Sequence, residues 1–504
     1  MSFEDIKSPL PPRNTVSQPI GETNSSQEVV NPAGQPVYNE PLTRSESTTS
    51  EPVAEVSQPS KKFKPVKLLI ILIVLAILGA GAYFFINKNG LGKEVTINYW
   101  GLWENEAIMS GLVADFEAKN PGIKINYKNN QKIDYRSRLK GRLQKDPEVE
   151  EVPDIFRIHS SWVTMFEDDL ARVPDDVSKS IQLEEDFWDA YKTDLKVRGE
   201  FVGVPLMYDG LAMFYNKDLI ESAGIAVPRS WWELKEAAEK LTVKDEAGNI
   251  KVAGVAMGTI DNVDHWSDVV GLMMKQNGVN PLVDSPENDT KIKDVLTFYS
   301  IFKKNSGVWD ERLPSSTQFF ASGKVGFYFG PSWRVFNIME INPNLKFEIS
   351  KMPQLPVLGE DGGSEDSGLT NINWSSYWFE GVSSHSKHQK EAWKFLEYLA
   401  SKEGLEKFYT VAAQQRSFGE IYPRKSMAES LKANKMLLPF LESANSASSG
   451  YLSGYTHDDG VNDEMGRYFG NAINGIVLDN KNPEEVLPEL RLGINQLVIK
   501  YKLK

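Results

Sequence analysis

Residues 95–127 read VTINYWGLWENEAIMSGLVADFEAKNPGIKINY, a segment in which two different periodicities alternate. Apolar and polar side chains alternate over residues 95–100, which predicts a β-strand. Apolar side chains then recur at helical spacing over residues 107–119, and the Asn-Pro-Gly sequence at 120–122 ends this predicted helix. A second strand is predicted at residues 123–127.

The alternation of helix and strand continues beyond this segment. Residues 135–143 form a basic helical pattern, and residues 153–158 form another strand pattern. The resulting β-α-β-α-β order predicts an α/β fold with a mostly parallel sheet covered by helices. Further amphipathic helices are predicted at residues 235–241, 294–303, 390–399 and 483–500.

The composition of the 504-residue chain excludes several classes of function. Its formal net charge is −13, which argues against nucleic-acid binding because that requires a basic face. The absence of cysteine excludes disulfides, thiolate metal sites and a catalytic thiol. The sequence also lacks a phosphate-binding loop, a His-Glu-x-x-His motif and a Gly-x-Ser-x-Gly motif. We therefore predict no catalytic residues, no resident metal and no cofactor.

The N-terminal part of the chain predicts membrane anchoring. Residues 68–86 carry no charge, and roughly 20 apolar residues in a helix span a bilayer. We predict a transmembrane helix at residues 66–86, with a cleaved signal peptide as the alternative. Four lysines between residues 61 and 67 place the N-terminal side in the cytoplasm. We therefore predict a single-pass protein of the cell membrane. Residues 1–60 would be a disordered cytoplasmic tail, residues 87–93 a linker, and the remainder of the chain extracellular.

The run YDGLAMFYNKDL at residues 208–219 resembles a crossover segment of the extracellular solute-binding proteins, the family that includes maltose-binding protein. Similar segments follow that family's order at residues 153–155, 320–326, 330–333, 352–356 and 391–399. Together these segments extend the resemblance over residues 94–504.

The resemblance implies a two-lobed, periplasmic-binding-protein-like fold of type II. Lobe one is expected to comprise residues 94–208 and 354–412, and lobe two residues 212–352 and 413–504. The implied function is the capture of a carbohydrate, namely an oligosaccharide, by hinge closure. The ligand would pass to the permease subunits of an ABC-type importer, and we expect the binding protein to be a monomer. A membrane-anchored sugar sensor or adhesin and a surface glycoside hydrolase are the alternatives.

Candidate ligand contacts on lobe one follow the carboxyl ends of predicted strands, where open α/β sheets bind ligands. A saccharide cleft combines flat aromatic faces with carboxylates, amides and hydroxyls. The candidates are Trp103, Glu104, Ser161, Trp162 and Asp209. Glu104 and Asp209 would also be the carboxylates of the hydrolase alternative. Ordinary roles remain open for all five: a strand–helix loop, a helix N-cap with a core tryptophan, and a turn carboxylate.

The candidates across the cleft are His265, Trp266, Trp333, Trp374, Tyr377 and Arg416. The resemblance assigns Trp333, which follows a Gly-Pro turn, to the family's aromatic platform. Residues 374–378 contain three aromatic side chains, of which at least one is expected to face the cleft while another packs in the core. Arg416 is a candidate clamp for a hydroxyl or carboxylate. Trp231 and Trp232 open a predicted helix, and we interpret both as structural.

Overall fold

The computed structural model describes residues 73–77, 79, 94–145, 151–356 and 368–503. The predicted tail at 1–60, the linker at 87–93 and most of the predicted span at 66–86 lie outside the described residues. Residues 73–77 are helical. Within the described part of the chain, no helix combines the length and the apolar character that a membrane crossing requires.

The strands and helices are named here in chain order. The first part comprises β1 (Val95–Leu102), α1 (Glu106–Lys119), β2 (Ile123–Asn130), α2 (Tyr135–Leu143), β3 (Ile155–His159), α3 (Val163–Phe166), α4 (Asp175–Ser180), α5 (Leu183–Asp186), α6 (Asp189–Asp194), β4 (Lys196–Val197), β5 (Glu200–Phe201) and β6 (Ala212–Asn216). The middle comprises α7 (Lys217–Ser222), α8 (Trp231–Leu241), β7 (Val243–Lys244), β8 (Ile250–Val255), α9 (Trp266–Gln276), α10 (Pro286–Lys304), α11 (Ser316–Ala321), β9 (Val325–Gly330), α12 (Arg334–Ile341) and β10 (Phe347–Ser350). The last part comprises β11 (Asn373–Trp374), β12 (Trp378–Val382), α13 (Gln389–Ala400), α14 (Lys402–Ala413), α15 (Leu438–Ser443), β13 (Ala447–Ser448), α16 (Val461–Val477) and α17 (Pro483–Tyr501).

The first sheet has the strand order β12-β3-β1-β2. Strand β1 runs parallel to both β2 and β3, so the predicted parallel arrangement is confirmed. After the second sheet the chain returns to the first sheet, where β12 forms an edge strand that pairs antiparallel with β3. Helices cover this sheet through aromatic contacts: the Phe395 ring of α13 lies 4.8 Å from Phe116 of α1 and 6.1 Å from Tyr99 of β1, measured between ring centroids.

The second sheet has the strand order β10-β6-β9-β8-β7, in which only β8 and β9 are parallel. Trp231 of α8, Val270 of α9 and Tyr299 of α10 are buried in the core against it. Helix α8 begins at Trp231, in agreement with the predicted opening by Trp231 and Trp232 and before the apolar pattern of residues 235–241, because Ser230 and Glu233 form a reciprocal capping box. Helix α10 also starts earlier than the predicted 294, because Ser285 caps it and Pro286 fits its first turn.

Three segments connect the two sheets and lie side by side. Antiparallel bridges join Val204 to Glu380, Gly210 to Ser375 and Tyr208 to Ile421. The segment that leaves the first sheet (residues 204–210) therefore lies beside the segment that returns to it (residues 375–380), as the two-lobed arrangement requires. The lobe boundaries stay predictions, and the pairing of Ile421 with Tyr208 favours a transition to lobe two later than residue 413.

Candidate ligand-binding cavity

A cavity of about 300 Å³ lies between the two sheets, where their strands end. Trp103 follows β1 and His159 ends β3, whereas Trp333 follows β9 on the other side. Seven of the eleven predicted site residues line this cavity: Trp103, Asp209, His265, Trp333, Trp374, Tyr377 and Arg416. Trp103, His265 and Trp333 lie in loops that follow the ends of β1, β8 and β9, where open α/β sheets bind ligands, and the other four residues come from segments that connect or follow the two sheets.

Aromatic rings form two walls of the cavity. On the side of the first sheet, Trp103 is 41 % exposed and its ring meets Trp378 edge to face at 4.9 Å. On the side of the second sheet, the Trp333 ring lies 6.0 Å from the Tyr455 ring. Flat apolar faces of this kind suit the C–H surface of a sugar ring, as they suit any flat ligand with an apolar face.

Lys132 links the two aromatic walls. Its Nζ lies 5.8 Å from the ring centroid of Trp103 and 5.8 Å from that of Tyr455. Burial and, to a smaller extent, the nearby Arg334 guanidinium lower the pKa of Lys132 to about 8. At neutral pH the ammonium group is still mostly charged, so the cavity contains a cation held between two π faces.

The floor of the cavity consists of buried aromatic side chains whose polar atoms are already bonded. Trp374 Nε1 donates to Asp268 Oδ1 at 2.8 Å, and the Tyr377 hydroxyl donates to Asp194 Oδ2 at 2.8 Å. Both residues are at most 2 % exposed. They therefore offer apolar surface to the cavity, while Trp378 of the same segment faces it with a larger exposed fraction.

Asp209 is held at the crossover by three donors. Its Oδ1 accepts from the backbone N–H groups of Gly210 at 2.8 Å and Ser332 at 3.0 Å, and its Oδ2 accepts from the Ser332 hydroxyl at 3.0 Å. Burial raises the pKa of Asp209 to about 7, with Glu420 adding to the rise and the three donors opposing it. Near neutral pH this carboxyl group exists in both protonation states.

As the pH rises from about 5 to about 8, the free energy of unfolding of Asp209→Asn is expected to increase relative to that of wild type by about 1 to 2 kcal/mol. The folded-state pKa lies above the unfolded-state value, so the wild type loses stability as the pH rises through this window and the amide does not. Urea unfolding of both proteins across the window measures the difference. Asp189→Asn is the control, because Lys192 and Lys425 lower the pKa of Asp189 and place its titration below the window. A pH-independent difference for Asp209→Asn would contradict the prediction.

His265 connects the cavity wall to a cationic side chain. Its Nδ1 lies 3.1 Å from Asp268 Oδ2, and its Nε2 accepts from Arg334 Nε at 2.9 Å. Because Arg334 only donates, Nε2 is unprotonated and the imidazole is neutral, with its proton on Nδ1. Burial lowers the pKa of His265, which agrees with this assignment. The Arg334 guanidinium in turn lies 4.3 Å from the Trp333 ring and 4.5 Å from the Tyr455 ring, measured to the centroids.

Arg416 lines the cavity in a pair with an acidic neighbour. Its Nη2 donates to Glu420, four residues later in the sequence, and its guanidinium lies 5.1 Å from the Phe336 ring. Arg416 Nε has no hydrogen-bond partner among the described residues.

Glu104 does not line the cavity, because it forms part of a buried ion cluster. Arg157 donates to Glu104 Oε2 and, at 2.7 Å, to Glu380 Oε1. The three side chains are at most 2 % exposed. Burial raises the pKa of Glu104, while the Arg157 charge lowers it. The geometry assigns Glu104 to a structural cluster behind the first aromatic wall.

Ser161, Trp162 and Trp266 also lie outside the cavity lining. Trp162 is 1 % exposed and packs edge to face against Trp378 at 5.0 Å, so it supports the wall from behind. Ser161 follows β3 in a short 3-10 helix and bonds to His159. Trp266 lies against Gly470 of α16. For Ser161 and Trp162 the strand end was located as predicted, but the side chains contact neighbouring elements. Trp266 is the first residue of α9.

Trp378, from the predicted aromatic patch at residues 374–378, also lines the cavity. The lining further contains residues that the sequence did not indicate: Lys132, His159, Met207, Gly210, Leu211, Asp268, Pro331, Ser376, Glu420, Gly454 and Tyr455. Lys132 follows the end of β2, so applying the strand-end rule to that strand would have found it. Tyr455 comes from the long segment before α16, for which no periodic pattern predicts a position. Among the described residues, no group of three or more His, Asp or Glu side chains is arranged to hold a metal ion.

Comparisons with known proteins place this fold in a family. The family model for bacterial extracellular solute-binding protein matches residues 101–406. The multiple sugar-binding protein of Streptococcus mutans is 24 % identical over 362 residues, which cover 70 % of this chain and 82 % of that protein. The arabinooligosaccharide-binding protein of Bacillus subtilis is 23 % identical over 385 residues, which cover 72 % of this chain and 82 % of that protein.

Solved structures show the same fold. A cyclo/maltodextrin-binding protein complexed with maltotetraose matches with a TM-score of 0.62 and 16 % identity, covering 81 % of this chain and 98 % of that one. The cyclic α-maltosyl-1,6-maltose binding protein of Arthrobacter globiformis matches with a TM-score of 0.61 and 18 % identity, covering 81 % and 100 %. The predicted resemblance and its two-lobed α/β fold are confirmed: the chain belongs to the family of bacterial extracellular solute-binding proteins.

Proposed function

We propose that this protein captures an oligosaccharide in the cavity between its two sheets. The observation that carries the proposal is the cavity lining: Trp103 and Trp378 on one side and Trp333 and Tyr455 on the other, with Asp209, Lys132 and Arg416 between them. Aromatic faces match the C–H surface of sugar rings, and the polar groups match their hydroxyls. The names of the sugar-binding relatives and structural neighbours support this ligand class.

We further propose that the protein is anchored outside the cell and serves an ABC-type importer. The uncharged segment at residues 68–86 and the lysines before it support an anchor with a cytoplasmic N-terminus. An anchored binding protein stays close to permease subunits in the same membrane, so ligand transfer does not require diffusion through the medium. A sensor would use the same cavity without these subunits.

The direct test is calorimetric titration of the full chain, in lipid nanodiscs free of glycoside detergents, with maltotetraose, mannotriose and an arabino-oligosaccharide. We expect saturable binding of at least one sugar at one site per chain. Failure of all three to bind would contradict the ligand class. Release of shorter sugars would instead favour a hydrolase, although Glu104, one carboxylate of that alternative, is bonded to Arg157 outside the cavity lining.

Hinge closure is the expected response to the ligand. A sugar that contacts both walls gains all its contacts only when the walls approach, so it shifts the population towards the closed state. Because the chain has no cysteine, Glu403→Cys and Lys346→Cys provide two unique spin-label sites, both on exposed side chains. We expect the distance between the labels to shorten and its distribution to narrow under saturating sugar. An unchanged distribution would contradict hinge closure.

A further inference from the structure

A chain of buried hydrogen bonds runs from α16 to the cavity wall. Asn462 Nδ2 lies 2.6 Å from Ser161 Oγ and 3.0 Å from Asp458 Oδ2. Ser161 Oγ lies 2.7 Å from His159 Nδ1, and His159 Nε2 lies 3.1 Å from Ser376 Oγ. Asn462, Ser161 and His159 are at most 6 % exposed, whereas Ser376 is half-buried and lines the cavity.

The direction of each bond follows from what each group can donate. The Asp458 carboxylate also accepts from the backbone N–H groups of residues 460, 462 and 463, so it acts as an acceptor and the Asn462 NH₂ group faces it. The second hydrogen of that NH₂ group then goes to Ser161 Oγ. Ser161 Oγ is thereby an acceptor from Asn462, and its own hydrogen is available for His159 Nδ1.

The tautomer of His159 is determined by a second donor. The backbone N–H of Ser161 also points to His159 Nδ1, at 3.3 Å. Two donors therefore face Nδ1, which must carry a lone pair, and the ring proton is on Nε2. Burial and, to a smaller extent, the Lys132 charge lower the pKa of His159 to about 3, in agreement with a neutral ring. Nε2–H then donates to Ser376 Oγ.

Ser376 is the last residue in this series of hydrogen bonds. Its oxygen accepts from His159, and its own hydrogen has no acceptor among the described residues. We propose that His159 is a positioning residue that makes the Ser376 hydroxyl a donor directed at the ligand. The bound sugar must then place an acceptor oxygen, from a hydroxyl, the ring or a glycosidic bond, opposite Ser376. This inference rests on the proposed function and adds one element of its specificity.

The chain of bonds also joins the two sides of the cavity. Asn462 belongs to α16, whose Phe469 and Ile473 pack in the same core as Tyr299 of α10, beside the second sheet. Ser161 and His159 belong to the first sheet and the turn that follows it. The bond from Asn462 to Ser161 therefore adds a contact from the second side to a tautomer that the Ser161 backbone N–H already favours.

Nuclear magnetic resonance of the full chain tests the tautomer without any ligand. Long-range proton–nitrogen correlation distinguishes the two neutral tautomers from the imidazolium, and the His159→Gln variant assigns the signal among the five histidines. We expect a neutral ring protonated on Nε2 from about pH 6 to pH 8. A proton on Nδ1, or a charged ring, would overturn the inference.

Binding measurements test the donor, using the sugar that binds wild type most tightly among maltotetraose, mannotriose and the arabino-oligosaccharide. We expect Ser376→Ala to weaken binding about five- to tenfold. Ser375→Ala is the matched control, because the neighbouring Ser375 is fully buried and does not line the cavity; its Kd should stay within about twofold. Equal effects of the two substitutions would overturn the inference while leaving the proposed function intact.

A second pair of variants tests the positioning role. The amide nitrogen of Gln superimposes on His Nε2 and still reaches Ser376, whereas the shorter Asn does not. We expect the two variants to unfold at the same urea midpoint. We expect His159→Gln to keep more of the wild-type affinity for the sugar than His159→Asn does. The reverse order would overturn the role of His159. Failure of wild type to bind any of the three sugars would instead overturn the proposed function and the sugar contact of Ser376, whereas the tautomer is decided by the ligand-free spectrum.

Discussion

Arg157→Met is expected to lower the free energy of unfolding by about 3 to 5 kcal/mol. Arg157 supplies the positive charge that faces two buried carboxylates, Glu104 and Glu380. Methionine fills much of the same volume but leaves both carboxylates without their cation. The loss should be smaller at acidic pH, because the carboxyl groups then enter the folded state uncharged. Urea unfolding at about pH 7 and pH 4.5 measures both effects.

Arg172→Met is the matched control for this substitution. Arg172 also contacts two carboxylates, Asp175 and Glu200, but its side chain is 53 % exposed. Exposed ion pairs contribute roughly 0 to 1 kcal/mol, so the control should lose little stability. Similar losses for the two variants would contradict a structural role for the Arg157 cluster.

Trp333→Ala is expected to weaken sugar binding by about 2 kcal/mol, which corresponds to about thirtyfold in Kd. Trp333 lines the cavity and packs against His265, with ring centroids 5.6 Å apart, and against the Arg334 guanidinium. Its removal takes away one aromatic wall and loosens the groups that support it. Trp333→Phe keeps a flat ring and should lose less affinity. Calorimetric titration of each variant with the tightest-binding sugar provides the measurement.

Trp232→Ala is the control for the loss of a tryptophan. Trp232 lies on α8, is 52 % exposed, packs against Phe298 at 4.7 Å and does not line the cavity between the sheets. Its replacement should leave the Kd within about twofold. If Trp232→Ala weakened binding as much as Trp333→Ala, the assignment of the ligand to this cavity would be contradicted.

The fold could be predicted from the sequence because the patterns that indicate it involve residues close together in the chain. Alternation over residues 95–100 and helical spacing over residues 107–119 identified the parallel sheet, and strand ends then located the cavity. Asp209 and Trp333 line the cavity because both lie in short segments where a strand or crossover ends. The start of α10 at Pro286 was predicted too late because capping by Ser285 carries no apolar periodicity.

The placement of individual side chains depends on partners distant in the sequence. Glu104 has the chemistry of a sugar contact, but Arg157 lies 53 residues away in sequence and meets it inside the sheet. Ser161 likewise points to Asn462, 301 residues away, and not into the cavity. Tyr455 enters the cavity from a segment with positive backbone φ at residues 455, 457 and 459, a geometry that residue type alone does not predict.

A crystal structure of the protein with its tightest-binding oligosaccharide tests the central claim most directly. We expect the sugar in the cavity between the sheets, with one ring against Trp333 or Tyr455, another contact to Trp103 or Trp378, and a polar contact to Asp209. A sugar bound on an outer surface, or one that touches only one of the two walls, would contradict the claim that both sides of the cavity bind one ligand together.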